Sequence, residues 1–97
     1  MNKKIKTPEV DGLFEAVLKL ENIDECYAFF EDLCTINEIL SLSQRFLVAK
    51  MLKEKNTYAD IAEKTGASTA TISRVNHALN YGNDGYELIL ERLKEEP

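Results

Sequence analysis

Apolar positions recur at helical spacing along most of the chain, and no stretch shows the strict alternation of a strand. Val10, Leu13, Phe14, Val17, Leu18 and Leu20 predict a helix over roughly 9–20, entered at Pro8, after a loose segment 1–8. Glu9 and Asp11 suit the positive end of its dipole. Asn22, with Glu25 three residues on, opens a second helix that runs to about Cys34. Its Tyr27, Phe29, Phe30 and Leu33 read as core, and its apolar residues lie on more than one side, which predicts burial by a second subunit. Thr35 and Glu38 open a third unit whose pattern continues from Ile36 to about Lys55, with a break or bend expected near Ser41–Ser43. Asp84, with Glu87, is expected to cap a last helix over 84–95, with Leu88, Ile89 and Leu93 inward beside Tyr86.

Between these, 57–79 reads as two short helices around Gly66. Thr57 caps the first, with Asp60 in the capping-box position, and Gly66 supplies the left-handed residue that ends it. Ser68 caps the second. Ile61 is followed by the small Ala62, which permits a close crossing, and Ile72, Val75 and Leu79 form the inward stripe. Thr69, Ala70, Ser73, Arg74 and His77 are left near the outward face. Short hydrogen-bonding side chains at the front of an exposed helix suit a major groove. The pattern predicts a helix-turn-helix, and double-stranded DNA as its partner. The expected DNA-binding set is Lys53, Thr57, Tyr58, Lys64, Ser68, Thr69, Ala70, Thr71, Ser73, Arg74 and His77. Thr57, Tyr58, Lys53 and Lys64 would hold phosphates, whereas Arg74 would take a guanine or a phosphate.

The whole is therefore expected to be one all-α domain of about six helices, with 9–55 as dimerisation and core helices. The net charge of −5 is awkward for a DNA reader, but its distribution is uneven. Residues 1–44 carry a net −5, residues 45–80 a net +3 and residues 81–97 a net −3, so the positive excess falls on and before the helix-turn-helix. Cys26 and Cys34 lack metal-site spacing and His77 is the single histidine, so no metal and no cofactor are expected. No apolar run approaches the roughly 20 residues of a membrane helix, and the basic opening MNKKIKT is not followed by an apolar stretch. No membrane partner is expected, and the simplest location is the cytoplasm.

Gly66-Ala67, then Ala70-Thr71-Ile72-Ser73-Arg74, then Leu79 and one more helix, together resemble the tryptophan repressor family over roughly 12–94, closest to its YerC/YecD type. The resemblance implies an all-α, intertwined homodimer whose two helix-turn-helix units read a palindromic operator. It also implies a ligand pocket in which a glycine follows the arginine of the Ala-Thr-Ile-Ser-Arg run, and a second arginine on the preceding long helix stacks on the indole. Val75 stands at the first of those positions and Gln44 nearest the second. Tryptophan is thus not the expected corepressor; either another small molecule binds, or the dimer needs none.

The leading expectation is a sequence-specific transcriptional regulator, a repressor, acting as a homodimer. The alternative is a helical protein–protein interaction module that never touches DNA, which the acidic balance favours. An enzyme is not expected: Ser73 and His77 share a helix face, but with no acidic orienter and no cleft.

Overall fold

The computed structural model describes residues 2–95, and every regular element in them is an α-helix. The helices are α1 (Pro8–Val17), α2 (Ile23–Leu33), α3 (Ile36–Lys53), α4 (Tyr58–Thr65), α5 (Thr69–Tyr81) and α6 (Gly85–Glu95). Two compact units divide the chain, one up to Ile39 and one from Leu40 on. Among the described residues no helix is long and apolar enough to cross a membrane.

In the first unit the opening segment is less loose than its composition suggests. Lys3–Ile5 form a turn in which the Ile5 N–H donates to the Asn2 carbonyl at 3.2 Å. Thr7, extended, caps α1 by accepting from the Val10 N–H at 3.2 Å, with Pro8 at the first helical position, where its missing N–H costs nothing. Lys6 pairs with Asp11. The helix ends at Val17, earlier than the apolar pattern suggests, because Lys19 and Leu20 donate to the carbonyls three residues back and the chain tightens into a turn. Asn22 caps α2 through the Glu25 N–H at 2.9 Å. Glu25 reaches back as expected, but to the N–H of Glu21 rather than that of Asn22.

The aromatics of α2 are not a core within this chain. Phe29 and Phe30 meet edge to face at 5.6 Å and stay half-buried, while Tyr27 and Leu33 are exposed. Neither α1 nor α2 contains a buried residue. Phe14, Leu18, Ile23 and Ile36 are 55, 82, 73 and 75 % exposed.

Thr35 and Glu38 form a reciprocal box at the start of α3: the Glu38 N–H donates to Thr35 Oγ1 at 3.1 Å, and Glu38 Oε1 accepts from the Thr35 N–H at 2.8 Å. No break follows at Ser41–Ser43; α3 is helical through all three residues. Serine disrupts a helix when its hydroxyl competes for backbone, and Ser41 Oγ instead accepts from Arg45 Nη2 at 3.2 Å.

The second unit holds the core. Val48, Ala49 and Met51 of α3 meet Ile61 of α4, Ala67 of the turn, and Ile72 and Val75 of α5; Leu52, Ala62, Leu79 and Tyr86 pack around them. The last helix departs from expectation. Asp84 has φ +62°, not the extended conformation of an N-cap, and the Glu87 carboxylate binds Lys53 instead of closing a capping box. Leu90 is the buried anchor of α6, four residues after half-buried Tyr86, whereas Leu88, Ile89 and Leu93 are exposed.

The Thr35 N–H, and then the Thr35 hydroxyl, hold the Glu38 carboxyl below the ordinary glutamate pKa. A depressed folded pKa contributes stability that is present above the unfolded value and lost as pH falls through the folded one. The Glu38 carboxyl carbon, followed by NMR, is expected to titrate below its value in an unfolded peptide of the same sequence. An equal midpoint would remove this acid-side contribution.

Candidate functional site

The site is built on the α4–α5 pair. Thr57, in extended conformation, accepts from the Asp60 N–H at 3.1 Å and starts α4. Gly66, at φ +73°, ends it, and its N–H returns to the Ala62 carbonyl at 2.9 Å. This is the region where a Cβ crowds the backbone, so the turn depends on glycine. Thr65 braces the turn from inside: its hydroxyl donates to the Ile61 carbonyl at 2.7 Å and accepts from the Ala67 N–H at 3.1 Å. Ser68 Oγ then accepts from the Thr71 N–H at 3.1 Å and starts α5. Ile61 of α4 and Ile72 of α5, both fully buried, belong to one core cluster, with Ala62 packed against it.

Packing of one face exposes the other. Thr69, Ala70, Ser73, Arg74 and His77 are all exposed on α5, and Ser68 precedes them in the open. Thr71 is half-buried, with its hydroxyl 3.1 Å from Ser68 Oγ; it serves the cap more than the outward face. Thr57, Tyr58 and Lys64 are exposed on or next to α4. Lys53 differs from the rest of the expected set. Its ammonium is held by both oxygens of Glu87 at 2.8 and 2.9 Å, which offsets its charge.

One outward residue escaped the sequence pattern. Tyr81, beyond the expected 57–79 limit, lies within α5 and is 79 % exposed, with its ring 5.1 Å from that of His77. The spacing 74, 77, 81 would have found it, since i, i+3 and i+7 share a helix face. The helix stops at Gly82, where an added Cβ would collide with the Ala78 carbonyl.

Two further positions bear on ligand chemistry. Val75 is 2 % exposed and belongs to the core cluster, so its side chain fills space under α5. Gln44 is committed elsewhere: its Nε2 donates to the Thr65 carbonyl at 3.1 Å. Among the described residues no group of three or more His, Cys, Asp or Glu could hold a metal ion.

The sequence matches the family model of the Trp repressor protein over residues 8–94. The chain belongs to the Trp repressor family. Within it, the chain is 61 % identical over 92 residues to the uncharacterized protein YerC of Bacillus subtilis strain 168, covering 95 % of this chain and 88 % of YerC. Its fold superposes on the crystal structure of a TrpR-like protein from Eubacterium eligens with TM-score 0.94 and 69 % identity, covering 99 % of both chains. A candidate Trp repressor from Staphylococcus aureus matches with TM-score 0.92 and 57 % identity, over 97 % of this chain and 94 % of the other. These structures thus share the six-helix arrangement described above.

Replacing Gly66 by alanine is expected to cost about 1–2 kcal/mol, the penalty of a Cβ in left-handed backbone, since no neighbouring atom adds a clash. Chemical denaturation of Gly66→Ala checks this; an unchanged midpoint would mean that the turn does not depend on glycine.

Proposed function

We propose that the protein is a sequence-specific DNA-binding transcriptional regulator, a repressor, which acts as a homodimer on a palindromic operator without tryptophan as corepressor. The observation that carries this reading is the exposed face of α5, with Thr69, Ala70, Ser73, Arg74 and His77, on a helix fixed from behind by a core. A helix presenting short polar side chains and one arginine at its front half fits a major groove and can donate to base edges. Arg74 is the side chain suited to a guanine, with its paired acceptors at O6 and N7. Thr57, Tyr58, Lys64 and Ser68 would contact phosphates and set the register; Lys53 contributes less while Glu87 holds it. Membership of the Trp repressor family supports the same reading.

The homodimer is supported by what a single chain leaves uncovered. Two helices without a buried residue, carrying Phe14, Leu18, Ile23 and Tyr27 in the open, cannot hold themselves in water. A second copy offers the same apolar surface, and two-fold pairing would present two reading helices one helical turn of DNA apart. Absence of a tryptophan requirement is supported by the buried Val75 and the engaged Gln44.

A protein-docking role is the second reading, favoured by the net charge of −5. Selection of duplexes from a random pool by the full chain, with no added ligand, separates the two. Recovery of a palindrome is expected; absence of any enrichment by folded dimer would favour docking. On the recovered duplex, Arg74→Ala is expected to weaken binding by about 1–3 kcal/mol and to relax preference at one base pair. A loss under about 0.5 kcal/mol would remove Arg74 from the reading set, being no more than an ordinary surface substitution.

Sedimentation tests the assembly separately. The chain is expected to run as a dimer, and Phe14→Glu, at a position exposed in the single chain, is expected to dissociate it. A dimer unaffected by that change would place the interface elsewhere.

A further inference from the structure

We propose that Gln44 is a positioning residue for DNA recognition: its side-chain amide ties the α4–α5 turn to α3 and sets the angle of the reading helix with no bound small molecule. The proposal rests on the DNA-reading function given above and names the device that orients it.

The geometry is local and complete. Thr65 is the last residue of α4, and its carbonyl is one of those that a helix C-terminus leaves without an intrahelical partner. The hydroxyl of Thr65 is already spent inside the pair, on the Ile61 carbonyl and the Ala67 N–H. What the turn offers outward is the Thr65 carbonyl, and Gln44 Nε2 takes it at 3.1 Å in a half-buried setting. On α3, Val48 and Met51 follow Gln44 at i+4 and i+7, so the amide lies on the stripe that packs against Ile61, Ile72 and Val75.

The two kinds of contact do different work. Burial of Val48, Ala49 and Met51 holds the α4–α5 pair on α3 and sets which face of α5 turns inward, but the hydrophobic drive itself is non-directional and changes little with a small shift. A hydrogen bond is directional and fails beyond a few tenths of an ångström of misplacement. Base readout needs side chains held to about 0.5 Å, which packing alone does not ensure. Gln44 is therefore the directional tie, at the turn that sets where α5 begins. Because it belongs to the chain, the pair is held before any DNA or effector arrives.

The test compares three full-length proteins on two duplexes, one recovered from a random pool without ligand and one unrelated. Gln44→Met keeps length and loses the donor, whereas Gln44→Lys keeps a donor at similar reach. Gln44→Met is expected to lose roughly two- to tenfold in affinity for the recovered duplex, the range of one neutral hydrogen bond, and nothing on the unrelated one. Gln44→Lys is expected to keep most of the discrimination. Equal losses on both duplexes, or no loss, would overturn the positioning role, as would a fall in melting temperature without a change in discrimination. Hydrogen exchange at Gly66 and Ala67 reads the tie without DNA. Faster exchange is expected in Gln44→Met, and unchanged exchange overturns the tie. Failure of the parent protein to enrich any duplex would sink the DNA reading and the positioning role with it; faster exchange in that case would leave Gln44 as a structural tie alone.

Discussion

The burial of Ile61 and Ile72 in one core cluster, on either side of the Gly66 turn, is what the second unit depends on. Both side chains are fully buried, and φ +73° at Gly66 turns the chain within a few residues so that both join the same cluster. Removal of either isoleucine side chain would cost about 2–5 kcal/mol, a large part of what a domain of this size holds. The same core divides the surface of α5. Ile72 and Val75 face inward, so Thr69, Ala70, Ser73, Arg74 and His77 must face outward. Stability and the proposed reading face are therefore two sides of one packing decision.

The helix-turn-helix was legible because its signals are local. Caps at Thr57 and Ser68, a glycine at the left-handed position and a four-residue apolar rhythm each act within a few residues, and each appears in the structure. The last helix was legible as a helix but not in its facing. Leu88, Ile89, Leu90 and Leu93 are apolar on several sides, and period alone cannot choose among them. Half-buried Tyr86 decides it, since the residue four positions on is Leu90. Likewise the Asp84–Glu87 pair has the letters of a capping box, but Glu87 finds Lys53, a partner 34 residues away that no local pattern reveals. Ser41 and Ser43 suggested a bend by type, and the Arg45 side chain, one turn on, removes the cause for Ser41.

The first unit shows the opposite balance. Its helices are well specified by caps at Thr7, Asn22 and Thr35, yet none of α1 or α2 is buried. Caps are worth about 1 kcal/mol each and define where helices begin, not whether they persist. Persistence needs a buried face, which on the proposed homodimer a second copy would supply to the aromatics of α2. The apolar residues of α2 do lie on more than one side, and in the single chain they stay half-buried or exposed. What would cover them is not encoded in the periodicity of one helix.

Charge sets the remaining constraint on the proposed DNA reading. Phosphate affinity depends on cations close to the backbone, because at physiological salt charges beyond about 8 Å are largely screened. The net −5 of the chain therefore matters less than the sign near α4 and α5, where Lys64 and Arg74 are exposed. Lys53 is partly withdrawn by Glu87, so few cations per chain face the backbone. Non-specific attraction grows with the number of neutralised phosphates, and on the proposed reading that number would be small. On the proposed reading, affinity would therefore come from fit: backbone N–H groups at helix starts, short side chains against base edges, and two copies binding at once. Fit is sensitive to angle in a way that charge is not. That is why a single directional tie, the Gln44 amide on the Thr65 carbonyl, carries more weight here than it would beneath a strongly basic helix.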